Sequence, residues 1–245
     1  MDDLLELTGR AEATHFWFQG FRKFVSPLIE RLTAGRRDLR IVDCGCGTGN
    51  NLRLLAPHAR VLGFDMTAAG TRLTRKAGFP VVQADVSRIP LADRSVDIAT
   101  AFDVLQCVDA DEVAVREMAR IVRPGGAVVL TVAALEILRG DHAEVWQEVR
   151  RYTPAAVRRL VEHAGLQAEH VAFLFASTFP LMLAVRASQR LLRPFRPLRP
   201  DTDIAVPSAP VNAILAAVVS AEASVARFVR MPIGSSILVV GRKPT

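Results

Sequence analysis

The chain has 245 residues, half of them apolar, enough to bury one sizeable α/β core and to carry an appendage. Its formal charge of +6 comes from basic residues interleaved with acids, a pattern that points to a solvated surface rather than to nucleic acid. Three cysteines, two of them inside one glycine-rich stretch, argue against a disulfide framework and for a reducing, cytoplasmic setting. The acidic, amphipathic opening MDDLLEL lacks the features of a secretory leader, and the apolar uncharged run 171–185 is shorter than the roughly 18 residues of a bilayer span, so no transmembrane helix is expected.

Between residues 11 and 34, Trp17, Phe21, Phe24, Leu28 and Leu32 recur at steps of three or four, a helical stripe. Ser26 followed by Pro27 has the form of an N-cap and first helical residue, which predicts two helices joined at a bend. The aromatic density of HFWFQGF predicts packing on the main core, with a ligand lid as the alternative, and makes His15 and Trp17 candidate substrate contacts.

Ile41 to Asn50, IVDCGCGTGN, turns a short apolar strand into a helix through glycines, which reach positive φ freely and let a ligand lie against the backbone. The helix starting near Thr48 would offer free N–H groups to a carboxylate. A dinucleotide fingerprint would place its third glycine at Asn50, whereas this chain has Gly49; no Gly-Lys-Ser/Thr follows, so a Walker-type loop is excluded. A second strand, 60–64, ends in Asp65, placed to accept hydrogen bonds from ribose hydroxyls while Thr67 caps the next helix. Residues 80–84 form a third strand ahead of Asp85 and Val86, and 95–101 a fourth, with Phe102 to Val108 at its carboxyl end.

Asp109 and Glu112 have the spacing of a capping box for a helix through Ile121, which RPGG ends. Ala127 to Ala133 is a fully apolar fifth strand, as in the middle of a parallel sheet. Thr153, Pro154 and Gly165 mark the cap, first residue and stop of a further helix. A sixth strand lies within 167–175 and SSILVVGRK forms a seventh. The intervening stretch of about sixty residues should hold helices, placed at 181–192 and 211–229. Arg186, Arg190 and Arg193 fall at helical spacing, and Arg196 and Arg199 continue the basic run. Cys107 is expected to be a small buried hydrophobe.

Taken in order, these stretches resemble the class I S-adenosylmethionine-dependent methyltransferases of the type 11 family. The likeness is carried by IVDCGCGTGN, by the HFWF opening with Arg22 at the family's basic position, by VRPGG, and by the GDH and RRYT elements after strand five. The family commonly reads LDVLEHV where this chain has FDVLQCV, so Gln106 and Cys107 stand in for Glu and His. The resemblance implies a Rossmann-like, doubly wound α/β sheet of seven strands, mostly parallel with strand seven antiparallel. It divides the chain into an N-terminal helical cap (1–36), a methyltransferase core (37–175), a helical insertion between strands six and seven (176–234) and a final core strand (235–245). The implied cofactor is S-adenosyl-L-methionine, held by Asp43, Gly45, Cys46, Gly47, Asp65, Met66, Asp85, Val86 and Phe102, with Asp85 meeting the adenine amino group and Val86 packing on the ring.

The implied reaction is methyl transfer to a small-molecule or lipid- or glycolipid-like acceptor. His142, just after strand five, is the candidate to orient or deprotonate the acceptor, and Tyr152 joins His15 and Trp17 as a candidate substrate contact. No metal ligand set is read, and no nucleic-acid partner, since neither aromatic-basic interleaving nor an Asn-Pro-Pro-Tyr-like element is present. The insertion is expected to cover the acceptor side and to bring a basic amphipathic patch to a membrane surface, or else to pack in a homodimer. Two other functions stay open: a binding protein for the same cofactor without turnover, for which Gln106 and Cys107 speak, and a nucleotide-dependent oxidoreductase, which Asn50 disfavours.

Overall fold

The structure is a computed structural model, which describes residues 2–36, 38–195 and 204–245. Its centre is a sheet of order β3-β2-β1-β4-β5-β7-β6. The strands β1 (Arg40–Cys44), β2 (Arg60–Asp65), β3 (Val81–Gln83), β4 (Val96–Phe102) and β5 (Val122–Ala133) are parallel, and β7 (Ser236–Arg242) runs antiparallel to both β5 and β6 (Gln167–Leu174). Every residue of β4 is buried, which is why it reads as an unbroken apolar run broken only by Asp97 and Thr100.

Both sheet faces are covered, and alternate residues of β5 supply the two cores. Val128, Leu130 and Val132 pack with Val115 and Met118 of α5 (Asp111–Ile121) and with Val157 and Val161 of α7 (Pro154–His163). Ala127 and Val129 face the other way, toward Phe21, Phe24, Val25 and Ile29 of α2 (Phe16–Thr33) and Val219 of α9 (Ala209–Val225). Fully burying each such aliphatic or aromatic side chain contributes about 1.5–3 kcal/mol.

Local signals were overruled where tertiary partners compete. Helix α2 runs unbroken through Pro27, so the expected bend is absent and the chain instead breaks between α1 (Asp2–Ala11) and His15, which caps α2 by accepting the Trp17 N–H. An internal proline costs about 3 kcal/mol, but the buried neighbours Phe24, Val25, Leu28 and Ile29 each return an amount of that order. The capping box at Asp109 and Glu112 does not form: the N-cap of α5 is Ala110, without a side-chain bond. Asp111 is drawn instead to the Tyr152 hydroxyl, at 2.7 Å, and to the Arg150 guanidinium. Thr153 and Pro154 open α7 as expected, with Thr153 accepting the Ala156 N–H.

The insertion holds α8 (Phe179–Leu192) and α9. Two side chains of α9 satisfy backbone donors at other helix starts: Asn212 Oδ1 accepts the Phe16 N–H, and buried Glu222 accepts the N–H groups of Ala176 and Ser177, each at 2.8 to 2.9 Å. The three arginines at helical spacing along α8 and its C-cap differ in placement, and one of them is buried. Arg186 is 3 % exposed and donates to Gln189, Arg190 donates to the carbonyl oxygens of Ile137 and Arg139, and Arg193 pairs with Glu144. Of these three, Arg186 is buried while Arg190 and Arg193 stay exposed and are tied to the loop and helix after β5; Arg196 and Arg199 lie outside the described residues. Among the described residues no helix is long and apolar enough to cross a membrane.

The crossing of α2 and α9 is tight enough to test. A Cβ at Gly20 would lie 2.2 Å from Val219 Cγ1. Gly20→Ala should cost about 1–3 kcal/mol in urea unfolding through overpacking, and Val219→Ala in the same chain should restore most of the loss. Equal stability of Gly20→Ala and wild type would show that the helices can move apart freely.

Candidate functional site

All five parallel strands point their carboxyl ends to one edge of the sheet, and the strand order reverses between β1 and β4, where open α/β sheets bind ligands. The topology brings every expected cofactor contact to that edge. Asp43, Gly45, Cys46 and Gly47 follow β1, Asp65 and Met66 end β2, Asp85 and Val86 follow β3, and Phe102 ends β4.

The turn after β1 owes its shape to its glycines. Gly45, Gly47 and Gly49 have φ of 79°, 52° and 81°, and a Cβ on Gly45 would stand 2.4 Å from Val104 Cγ2. Only glycine meets both demands. Helix α3 (Asn50–Leu55) is short, and its Asn50 N–H is taken by Thr48 Oγ1 at 3.3 Å, so fewer of its donors are free than expected. Asp65 ties the turn to the next strand: Oδ2 accepts the Gly47 N–H and Oδ1 accepts from both N–H and Oγ1 of Thr67, at 2.6 to 2.8 Å. Thr67 caps α4 (Ala68–Lys76) as expected, yet Asp65 is not thereby left without partners. Asp85 is exposed and accepts the Ser87 N–H, Val86 is buried, Met66 is 67 % exposed, and Phe102 packs edge-on against Phe21.

Asp43 is fully buried. Its Oδ1 accepts from Thr100 Oγ1 at 2.6 Å, while Oδ2, with the Asn51 side chain nearby, makes no aligned hydrogen bond. Burial pushes its carboxyl up to about 7, the Thr100 hydroxyl opposing and the Asp65 charge adding to the shift. A buried acceptor without an aligned donor, set directly behind a glycine turn, fits a ligand that brings a positive charge, as the amino group and sulfonium of S-adenosylmethionine do.

The other expected residues have well-defined places. Tyr152 is buried, its hydroxyl donating to Asp111 and reaching the Leu105 carbonyl oxygen. Trp17 stacks between Phe21 and Phe175, at 5.6 and 5.2 Å between ring centroids, so the aromatic helix packs on the core. The covering role falls to α1: buried Leu5 approaches Gly47, Gly9 faces the Thr48 methyl, and just beyond α1 the Glu12 carboxylate accepts from Thr48 Oγ1 at 2.7 Å. Arg22 donates to the Glu12 carbonyl oxygen. His142 lies on α6 (Asp141–Val145), its ring 6.0 Å from that of Trp146. Cys107 is exposed, not buried as expected, and its thiol is pushed up to about 12 by local desolvation and by the charges of Glu148 and Asp103, so it is not an activated nucleophile. No cluster of metal ligands occurs among the described residues.

Sequence reasoning missed Asp103, Glu148, Arg151 and Gln189, which meet at the carboxyl ends of β4 and β5. The signal available was the charged stretch from Asp141 to Tyr152, too polar for a loop that ends up buried.

Three carboxyls carry a stability signature. Burial holds Glu12 and Asp43 at about 7 and Asp103 at about 6, all above their values in an unfolded chain. A raised folded pKa means that the folded state binds more protons than the unfolded one, so stability is full below about pH 4 for these groups and is lost as pH rises through 6 to 7. Urea midpoints of the ligand-free protein should fall over that window, and Asp43→Asn should flatten the fall. A midpoint rising from pH 5 to 7.5 would contradict the buried placement.

Comparison with known proteins agrees with this geometry. Residues 42–130 match the type 11 methyltransferase domain family. The chain is 34 % identical over 131 residues to a malonyl-[acyl-carrier protein] O-methyltransferase of Enterobacter lignolyticus, covering 52 % of this chain and 51 % of that protein. It is 31 % identical over 136 residues to a probable S-adenosylmethionine-dependent methyltransferase of Mycobacterium tuberculosis, covering 52 % and 48 %. The chain thus spans about half the length of these curated relatives. Phosphoethanolamine N-methyltransferase 2 of Haemonchus contortus, solved with S-adenosyl-L-methionine, superposes with a TM-score of 0.65 at 15 % identity, over 100 % of this chain and 58 % of that one, a likeness of fold alone. The residues that fold around the glycine turn after β1, 42–130, thus carry a type 11 methyltransferase domain, and the chain has S-adenosylmethionine-dependent methyltransferase relatives.

Proposed function

We propose that the protein transfers a methyl group from S-adenosylmethionine to a small or lipid-linked acceptor entering beside β4 and β5. The observation that carries this reading is the buried, half-satisfied Asp43 carboxyl behind the glycine turn, within the matched domain. The cofactor supplies a methyl group already activated on a sulfonium, so the chain's own task is to align an acceptor and exclude water.

In this reading the backbone of Gly45 to Gly47 receives the methionyl part, and Asp43 answers its positive charge. Asp65 retains acceptor capacity beyond its bonds to Gly47 and Thr67, since an ionised carboxylate offers about four lone-pair sites, and takes the ribose hydroxyls. Asp85 and Val86 meet the adenine, and α1 closes over the turn through Leu5 and Glu12. His142 is assigned to orienting the acceptor, from its place on α6 after β5.

Calorimetric titration with S-adenosylhomocysteine tests the reading. The wild type should bind, and Asp65→Ala should bind roughly 10- to 100-fold more weakly, the about 1.5–3 kcal/mol expected for hydrogen bonds to a charged group. Absence of wild-type binding would overturn it. A positively charged ligand beside Asp43 should also pull that carboxyl's pKa down, so binding near pH 7 should release a proton. Titrations in buffers of different ionisation enthalpy should detect the release, and Asp43→Asn should abolish it.

A further inference from the structure

Buried polar side chains gather after the carboxyl ends of β4 and β5, with α8 of the insertion packed on them. Asp103 and Gln106 follow β4, Trp146 follows α6, Glu148 and Arg151 precede α7, and Arg186 and Gln189 come from α8 of the insertion. Glu148 and Arg151 pair at 2.9 Å with side chains 3 % and 7 % exposed. Arg186 donates to Gln189 Oε1 at 2.9 Å, and that oxygen also lies 3.4 Å from the Asp141 N–H. A Cβ on Gly140 would meet Gln189 Oε1 at 2.4 Å and Arg186 Cδ at 2.5 Å, so the loop after β5 is pressed directly onto the insertion helix. Arg151 senses both Glu148 and Arg186, and Asp103 senses both Glu148 and Arg151.

This cluster is incomplete by itself. Arg151 Nε, Gln189 Nε2 and Trp146 Nε1 are buried donors without a hydrogen-bond partner, and Glu148 Oε2, though ion-paired, makes no aligned hydrogen bond. Buried polar atoms are satisfied in nearly all folded proteins, and unsatisfied ones mark a missing ligand or water. Three non-glycine residues bordering the cluster, Asp103, Leu135 and Gln147, sit at φ of 54° to 56°, the kind of strained backbone that collects at functional sites.

We propose that this cluster is the acceptor subsite and that it takes a neutral group bearing neighbouring hydroxyls, as on a sugar or polyol. The proposal rests on the methyltransferase reading above and names its substrate class. Two guanidinium groups, of Arg151 and Arg186, stand among the carboxyls of Glu148, Asp141 and Asp103, so no positive charge is left over for an anion to balance. The atoms in want of partners are N–H donors, and beside them Glu148 Oε2, ion-paired with Arg151, keeps further acceptor capacity, so a hydroxyl can accept from the donors and donate to that oxygen. An anion would satisfy the donors alone and would lie against three carboxyls.

Saturation-transfer NMR on the full chain loaded with S-adenosylhomocysteine tests this, using methyl α-glucoside, myo-inositol, octyl glucoside below its micelle concentration, acetate and methyl phosphate as probes. Transfer to at least one polyol probe is expected, at least fivefold weaker in Gln189→Leu and in Trp146→Phe, with none to acetate or methyl phosphate. A free sugar or polyol acceptor would favour methyl glucoside or inositol, and a lipid-linked one octyl glucoside. Transfer to the anions alone, none to any polyol, or undiminished transfer in both variants would overturn the proposal. Calorimetry with S-adenosylhomocysteine on the same samples separates the two levels: if it binds all three proteins and polyols bind none, only the acceptor assignment fails, whereas its failure to bind the wild type removes both.

Discussion

The contact between Gly45 and Val104 is the constraint from which the rest of the site is arranged. At that point the chain leaving β1 must reverse at positive φ while lying against the first residues after β4, with no space for a side chain between them. Because the two segments touch, the Asp43 carboxyl at the end of β1 is sealed from solvent and meets Thr100 of β4. The same closeness lets the turn lean on β2, where Asp65 accepts the Gly47 N–H and Phe64 offers its carbonyl oxygen to the N–H groups of Gly45 and Cys46. A larger residue at Gly45 would therefore displace strand ends as well as a loop, and the desolvation that raises Asp43 would be lost with the seal.

The insertion is joined to this arrangement by polar contacts rather than by bulk alone. Glu222 and Asn212 on α9 supply acceptors to backbone donors at the starts of α8 and α2, groups that a helix start cannot satisfy internally. The bonded residues lie 45 to 196 positions apart in the chain. The consequence is positional. Helix α8 is held with Arg186 and Gln189 against the loop after β5, and α9 lies with α2 on one sheet face, so the cap and the insertion share a core. A segment that reads as an appendage between two edge strands thereby contributes side chains to the polar cluster after β4 and β5.

The exposed side of α9 has a different character. Val211, Ile214, Val218 and Val225 are each more than 40 % exposed, and the helix's one ionic side chain, Glu222, is turned inward. The burial of Glu222 is explained by its capping bonds. The charge-free outer face follows from spending the only carboxylate of the helix on those bonds.

The sequence by itself determined the sheet and the donor edge. Apolar runs of strand length, glycines that alone tolerate the turn after β1, and the Thr153-Pro154 helix start are signals between residues close in sequence, and the structure agrees with each. Residues at the carboxyl ends of β1, β2, β3 and β4 could be named as a set because parallel strands joined by crossovers must bring those ends to one side. Tertiary structure decided the rest. Asp109 and Glu112 have capping spacing, yet α5 starts after Ala110 without a side-chain cap, and Tyr152 and Arg150, about forty residues on, instead hold Asp111 and the Asp109 carbonyl oxygen. Pro27 reads as a helix start but is carried inside α2 by buried neighbours on both sides. Arg186, Arg190 and Arg193 have the spacing of a solvated stripe, but Arg186 is buried against Gln189 and the loop after β5, while Arg190 and Arg193 stay exposed and bond to that loop and to Glu144. In each case a local preference worth a few kcal/mol at most met partners distant in the chain, and the identity of those partners is set by packing, which no local spacing encodes.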